Sequence, residues 1–225
     1  MDEQRIYPIE QKIYLDKLFP RINNVNIQNL KIDHESVSYI TVPTESRKTV
    51  EIICKHITKH KPAKDTFIVD VTAGVGGDTI SFCNTFGSVV SIEIDESRFE
   101  KLVNNIEQYG FKNCVPMNGN SIAILPKLLY ADVIYIDAPW TDAYKTSKSL
   151  RLSLGDVELE TIVLDCFNKE IIPSQPKIVA LKMPKNYDIK YFFERVSPEL
   201  DIYLYNLRKI NILIVERKVK EVSIS

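Results

Sequence analysis

Apolar residues in this chain change their period partway along. Up to about residue 60 they recur at helical spacing; beyond Pro62 they come in short solid runs separated by amphipathic stretches. Tyr14, Leu15, Leu18 and Phe19 share a face in IEQKIYLDKLF, which predicts a short helix. A second helix is predicted from about Thr44 to His60, with Val50, Ile53, Cys54 and Ile57 on one side. The runs FIVDV, VVSIEID, CVPMN, ADVIYID and KIVALKM then read as strands. Helices are predicted between them: one through Ile80 and Phe82, then Glu96–Tyr109, Ile122–Leu129 and Val157–Phe167. Strands this uniformly apolar are buried on both faces, as in a parallel sheet covered by helices on either side. The last runs, IYLYNL and INILIV, are separated only by Arg208 and Lys209, a connection short enough to require an antiparallel hairpin. The expected fold is α/β, a seven-stranded, mostly parallel sheet with an antiparallel last strand. Residues 1–60 form a small helical N-terminal extension and 61–225 the sheet domain.

Composition narrows the class without changing this picture. At 225 residues and 44% hydrophobic the chain can build a full core, and no apolar run reaches the length of a membrane span. Its first residues lack the pattern of a signal peptide. Cys54, Cys83, Cys114 and Cys166 form no C-x-x-C pair, which suits a reducing, intracellular compartment and a soluble protein. A monomer is the expected form. With 29 basic against 30 acidic residues, bulk charge favours no anionic partner. Local charge does: Arg47, Lys48, Lys55, Lys59, Lys61 and Lys64 are interrupted only by Glu51, and Lys145, Lys148 and Arg151 form a second acid-free stretch. His34, His56 and His60 are not expected to be catalytic. His56 and His60 read as surface residues among lysines, lacking a third ligand, so no metal is expected.

Chemistry concentrates at strand ends. Asp70-Val71-Thr72-Ala73-Gly74-Val75-Gly76-Gly77 follows the first strand and opens a helix, the place where glycines let a ligand approach the backbone. Gly74 and Gly76 fit a dinucleotide turn, but the third glycine position is Thr79. The second strand ends in Glu93, placed to accept hydrogen bonds from both hydroxyls of a ribose, while Asp95 reads as the cap of the next helix. Both NAD and S-adenosyl-L-methionine satisfy this arrangement. The carboxylate of Asp70 favours the second, whose methionine moiety carries an ammonium. Asn120, after the third strand, lies where an adenine edge would be, and equally reads as a cap.

Asp137-Ala138-Pro139-Trp140 follows the fourth strand and so faces the same cleft. An indole beside a proline-fixed backbone stacks on a flat base. Asp137 and the Ala138 carbonyl can accept hydrogen bonds from an exocyclic amino group, orienting its lone pair for attack.

Taken together, D-x-x-x-G-V-G-G-x-T-I-x-F (Asp70–Phe82), I-E-I-D (Ile92–Asp95), N-N-x-x-x-Y-G (Asn104–Gly110) and Pro139-Trp140 resemble the trimethylguanosine synthase family, cap-specific guanine-N2 methyltransferases of RNA. The resemblance extends to Lys31-Ile32-Asp33, to Tyr39–Glu45 and to Met183-Pro184-Lys185-Asn186-Tyr187-Asp188, covering about residues 30–215. It implies a Rossmann-like class I methyltransferase fold, S-adenosylmethionine as cofactor, and methyl transfer to N2 of 7-methylguanosine on capped RNA 5′ ends. It places Asp70, Thr72, Ala73, Gly74, Gly76, Glu93, Asn120 and Asp137 against the cofactor. Asp137, Pro139 and Trp140 become the catalytic group, with Trp140 stacked on the cationic base and Tyr39 as a second wall. Lys182, Lys185 and Asn186 fall on the substrate side, the lysines with the Ser46–Lys64 cluster toward the triphosphate. The chain carries D-A-P-W where the family carries S-P-P-W, closer to amino-N methyltransferases acting on adenine or unmodified guanine. Such an activity, or a non-catalytic cap-binding subunit, is the alternative.

Overall fold

The structure, a computed structural model, describes residues 10–22, 25–140 and 142–218. Helix α1 (Glu10–Leu18), the single turn α2 (Ser36–Tyr39) and α3 (Pro43–Ile57) precede the sheet. Then β1 (Phe67–Asp70), α4 (Gly77–Thr85), β2 (Ser88–Glu93), α5 (Glu96–Gln108), β3 (Cys114–Asn118), α6 (Ser121–Ile124) and β4 (Val133–Ile136) alternate. A small hairpin of β5 (Ser153–Leu154) and β6 (Val157–Glu158) leads into α7 (Leu159–Phe167), β7 (Ile178–Pro184), α8 (Ile189–Val196), β8 (Leu200–Asn206) and β9 (Ile210–Arg217). The seven-stranded sheet runs β3-β2-β1-β4-β7-β9-β8, with β9 antiparallel to both its neighbours and the other pairings parallel. Among the described residues no helix is long and apolar enough to cross a membrane.

Period-two alternation divides the strands between two cores. Val69, Ile134, Ile136, Val179, Leu181 and Leu213 face Ile162, Val163 and Phe192 of α7 and α8. Ile68, Val133, Tyr135, Ala180, Ile212 and Ile214 face Ile53, Ile57 and Phe82 of α3 and α4. The central strands are buried on both faces, as their unbroken apolar runs predicted.

Departures from expectation have local causes. Pro126 lacks the N–H that would continue α6, so the predicted 122–129 helix becomes one α-turn followed by a tight 3-10 turn at Leu125–Lys127. Helix α7 starts at Leu159 because Val157 and Glu158 pair with Ser153 and Leu154 across a turn at Gly155, whose φ is +57°. Helix α8 was not anticipated; its signals are the Asp188 cap, accepting from Tyr191 N–H at 3.0 Å, and Phe192 and Val196 on the buried face. His60 is exposed as expected, but His56 is buried, a correction to the surface reading. Three residues after Ile53, it falls on the inward face of α3, where burial lowers its pKa despite Glu216.

The N-terminal segment is fastened through the N-N-x-x-x-Y-G stretch. Asn105, fully buried, accepts from Lys31 N–H (2.7 Å) and donates to Lys31 C=O (2.8 Å) and Val75 C=O (2.9 Å). The Tyr109 hydroxyl donates to Pro20 C=O at 2.6 Å. Leu18, Phe19 and Leu30 pack with Val75, Ile80 and Tyr109. Asn105 therefore ties the extension to the glycine turn. Replacing it by alanine strands buried polar groups, and should lower stability by about 1–3 kcal/mol in urea denaturation; an unchanged midpoint would show the clasp to be idle.

Candidate active site

The carboxyl ends of β1, β2, β3 and β4 open into a cleft of about 370 Å³. Its floor is the turn after β1, where Gly74 (φ +54°) and Gly76 (φ +103°) adopt left-handed conformations. A Cβ on Gly74 would meet nothing within 4 Å, so the backbone there borders open space. Gly77 is required for a different reason. A Cβ would lie 2.8 Å from the Ile40 side chain and 3.1 Å from the Thr41 backbone, so only glycine lets the segment ahead of α3 close against α4.

Asp70, at the end of β1, is buried; its carboxyl accepts from the Thr79 hydroxyl (2.6 Å) and from Thr72 N–H (3.2 Å). Burial pushes its pKa up to about 8, with the Thr79 hydrogen bond opposing and Asp78 adding to the rise. Glu93, ending β2, accepts from Gly74 N–H (2.7 Å) and Asp95 N–H (2.9 Å), bracing the glycine turn against the second strand. Asp95 caps α5 through Arg98 N–H, as expected, and Asn120 caps α6 through Ile122 N–H while also lining the cleft. Thr72 Oγ1 accepts from Asp137 N–H at 2.8 Å, joining the turn after β1 to the end of β4. Ala73 lines the same floor.

On the other side, Asp137, Pro139 and Trp140 line the cleft with Tyr39, which is exposed at its mouth. Trp140 lies 5.4 Å from the Tyr144 ring, tilted by 53°, and its Nε1 is buried without a hydrogen-bond partner among the described residues. Asp137 Oδ2 accepts from Lys182 Nζ at 2.5 Å. Lys182, itself buried, also donates to Thr41 Oγ1 (2.5 Å) and lies 3.9 Å from Asp78. The Thr41 hydroxyl (2.6 Å) and the Tyr135 hydroxyl (2.8 Å) both donate to Asp78. Burial works against the charge on Lys182, yet Asp137 and Asp78 outweigh it and hold the pKa above the ordinary lysine value. Burial raises Asp137 to about 6, Lys182 pulling it down and Asp78 pushing it up.

The remaining expected residues lie apart. Lys185 binds Asn206 and, at 3.2 Å, Asn211 on the β8–β9 hairpin. Asn186 donates to Tyr144 C=O (2.9 Å) and Ser147 C=O (2.8 Å), fixing the loop that carries Tyr144 to Trp140. Neither lines the cleft. Thr41, Asp78 and Tyr135 were not anticipated. Tyr135 alone carried a signal, a hydroxyl inside an otherwise apolar strand.

Residues 65–221 match the RNA cap guanine-N2 methyltransferase family. Protein L320 of Acanthamoeba polyphaga mimivirus is 30% identical over 220 residues, covering 89% of this chain and 84% of the viral one. Among solved structures, the METTL16 methyltransferase domain aligns with a TM-score of 0.61 at 10% identity, over 84% of this chain and 72% of that one. The Thermus thermophilus 16S rRNA N2 G1207 methyltransferase RsmC, solved with AdoMet and guanosine, aligns at 0.58 and 13% identity, over 84% of this chain and 44% of its own. Both likenesses are of fold. The cleft suits S-adenosylmethionine, the methyl donor of this class: it has open space beside Gly74, a strand-end acid in Glu93 and a buried carboxyl in Asp70. With its fold, its cofactor cleft and its family match in agreement, the chain is an S-adenosylmethionine-dependent methyltransferase belonging to the RNA cap guanine-N2 methyltransferase family.

Proposed function

We propose that this protein methylates the exocyclic N2 of the 7-methylguanosine cap of RNA. The observation that carries the reading is the presence of Trp140 and Asp137 on one proline-fixed turn that lines the cleft beside the glycine floor. The donor supplies a methyl group on a sulfonium. On its side, Gly74, Ala73 and Thr72 offer backbone and hydroxyl contacts, Glu93 faces the ribose, Asn120 the adenine edge, and Asp70 the methionine ammonium; Gly76, expected here, does not line the cleft, and its side-chain position faces Leu102 and Ile80.

On the acceptor side, an indole face attracts a flat cation by about 0.5–2 kcal/mol, and 7-methylguanine is one. Tyr39 closes the pocket from the mouth. Asp137 and the Ala138 carbonyl hold the amino N–H groups so that the nitrogen lone pair points at the methyl carbon; the gain is orientation. With the donor bound, the methyl C–S bond would break, leaving a neutral thioether, as the C–N bond formed; the nitrogen then becomes acidic, and Asp137, mostly ionised at neutral pH, accepts its proton. Lys182, expected toward the triphosphate, is instead buried, held by Asp137 and Thr41, and absent from the cleft lining. The proposed cations for the triphosphate are therefore Lys185 with Arg47 and Lys48, both exposed on the first turns of α3. Asn186 acts on the substrate side by holding the Tyr144 loop.

Two outcomes check these roles. If the ligand ammonium ionises Asp70, binding releases a proton wherever free Asp70 is protonated, so affinity rises with pH below about 8. Calorimetry between roughly pH 6 and 7.5 should show S-adenosylmethionine binding strengthen by up to ~10-fold per unit. The slope should vanish in Asp70→Asn; a flat wild-type profile would remove Asp70 from the ammonium. For the acceptor, Trp140→Ala should weaken m7GTP binding about 10-fold while S-adenosylmethionine affinity stays within about twofold, and Trp140→Phe should fall between. m7GTP should be methylated well ahead of GTP and ATP. Equal turnover of GTP, or preference for ATP, would favour the amino-N reading that D-A-P-W also allows.

A further inference from the structure

Beside the cleft runs a second feature, of which the roles above use only Lys185, at its upper end. Strand β8 is an edge strand, paired only with β9. Tyr203 and Tyr205 lie opposite Ile214 and Ile212, so both rings are on the sheet face that α3 covers. Here they overhang the helix: Tyr203 is 39% exposed, Tyr205 half-buried, and alternate residues of a strand stand ~7 Å apart along it. Each ring carries a lysine, one from the last turn of α3 and one from just beyond its end. Lys55 Nζ is 5.2 Å from the Tyr205 centroid and Lys59 Nζ is 5.5 Å from that of Tyr203, both lysines being exposed.

Beneath them His56 fixes the arrangement. Its Nδ1 pairs with Glu216 and its Nε2 accepts the Tyr205 hydroxyl at 2.7 Å, so the ring of Tyr205 is pinned from below. Two acids lie on this face, Glu216, mostly buried and paired with His56 and Lys59, and Asp201, partly buried opposite it on β8, while the side chains of Lys55 and Lys59 are exposed. At the upper end, the β8–β9 turn exposes Arg208 and Lys209, and Lys185 reaches Asn206 and Asn211 from the end of β7. That end of β7 is the one from which Lys182 meets Asp137. A strip of alternating cations and aromatic rings thus leads away from the cleft, down the groove between α3 and β8.

We propose that this strip binds the RNA body that follows the methylated end, as a single strand, with phosphates on Lys55, Lys59, Lys185, Arg208 and Lys209 and bases on Tyr203 and Tyr205. Rings that accept any base and cations that track a backbone are what sequence-tolerant single-strand binding needs. The inference rests on the RNA-methylation reading only for the route of the strand out of the cleft.

The test is fluorescence anisotropy of the full chain with an uncapped oligonucleotide of about a dozen nucleotides, at several salt concentrations. A Lys55→Glu/Lys59→Gln double variant should bind RNA at least ~10-fold more weakly, with a shallower salt dependence. It should methylate m7GTP, which is too short to reach the groove, within about twofold of wild type. Tyr203→Ala, which removes a ring packed 4.8 Å from that of His56 but leaves both hydrogen bonds of the histidine in place, should lose several-fold in affinity and keep the salt slope. Wild-type affinity in both variants would overturn the proposal, as would failure of the wild-type chain to bind RNA. Poly-glutamate binding as tightly as RNA would also overturn it, making the groove a site for an acidic polypeptide. If RNA affinity depends on these residues but m7GTP is never methylated, the cap assignment falls and the groove stands.

Discussion

A buried ammonium must be matched on every side, and Lys182 is the buried ammonium around which this cleft is organised. Taking it from water costs several kcal/mol, recovered only by close carboxylates and satisfied hydrogen bonds. Asp137 supplies one carboxylate at 2.5 Å and Asp78 a second at 3.9 Å, with the Thr41 hydroxyl between them. Four separate segments are thereby fixed relative to one another: β7, the turn after β4, the first turn of α4, and the stretch ahead of α3. Trp140 sits three residues beyond Asp137, so the same pairing helps set where its ring meets the cleft. The approach of Thr41 to α4 that completes the network depends in turn on the missing side chain of Gly77.

This constraint explains which parts of the protein could be read from sequence. Strands of a parallel sheet all point their carboxyl ends one way, so residues just after apolar runs converge wherever the helices lie. Asp70, Gly74, Glu93, Asp137 and Trp140 were legible for that reason and do line one cleft. Lys182 lies inside an apolar strand, and nothing along the chain shows that its partner is Asp137 rather than a phosphate. Thr41 and Asp78 are polar residues near element ends, a description that fits many others. Their role arises only from packing across long sequence separations.

The basic stretch from Arg47 to Lys64 shows the opposite failure. Read linearly it is one cluster, but helical period and the end of α3 distribute it around the molecule. Arg47 and Lys48 are exposed at the start of the helix, and Lys55 and Lys59 cover tyrosines of the edge strand. Lys61 instead pairs with buried Asp132 at 2.9 Å, at the amino ends of the strands and so away from the cleft, and Lys64 donates to Asn84 C=O. His56 was misread in the same way, its lysine neighbours masking the apolar period it shares with Ile53. Fold class survived such errors because it depends on many apolar positions at once, whereas a site role depends on one partner.

The donor half of the cleft and the acceptor half therefore have different standing in physical terms. A glycine turn with a strand-end acid suits S-adenosylmethionine whatever the acceptor; the proposed acceptor rests on what Trp140, Asp137 and Tyr39 can hold. The most direct measurement is the position of the transferred methyl group. The chain would be incubated with isotopically labelled S-adenosylmethionine and a 7-methylguanosine-capped RNA, and the RNA digested to nucleosides for mass spectrometry. The account predicts label on the exocyclic N2 of the cap 7-methylguanosine, with internal nucleosides unlabelled. Label on adenine or on internal guanine, with the cap untouched, would contradict it.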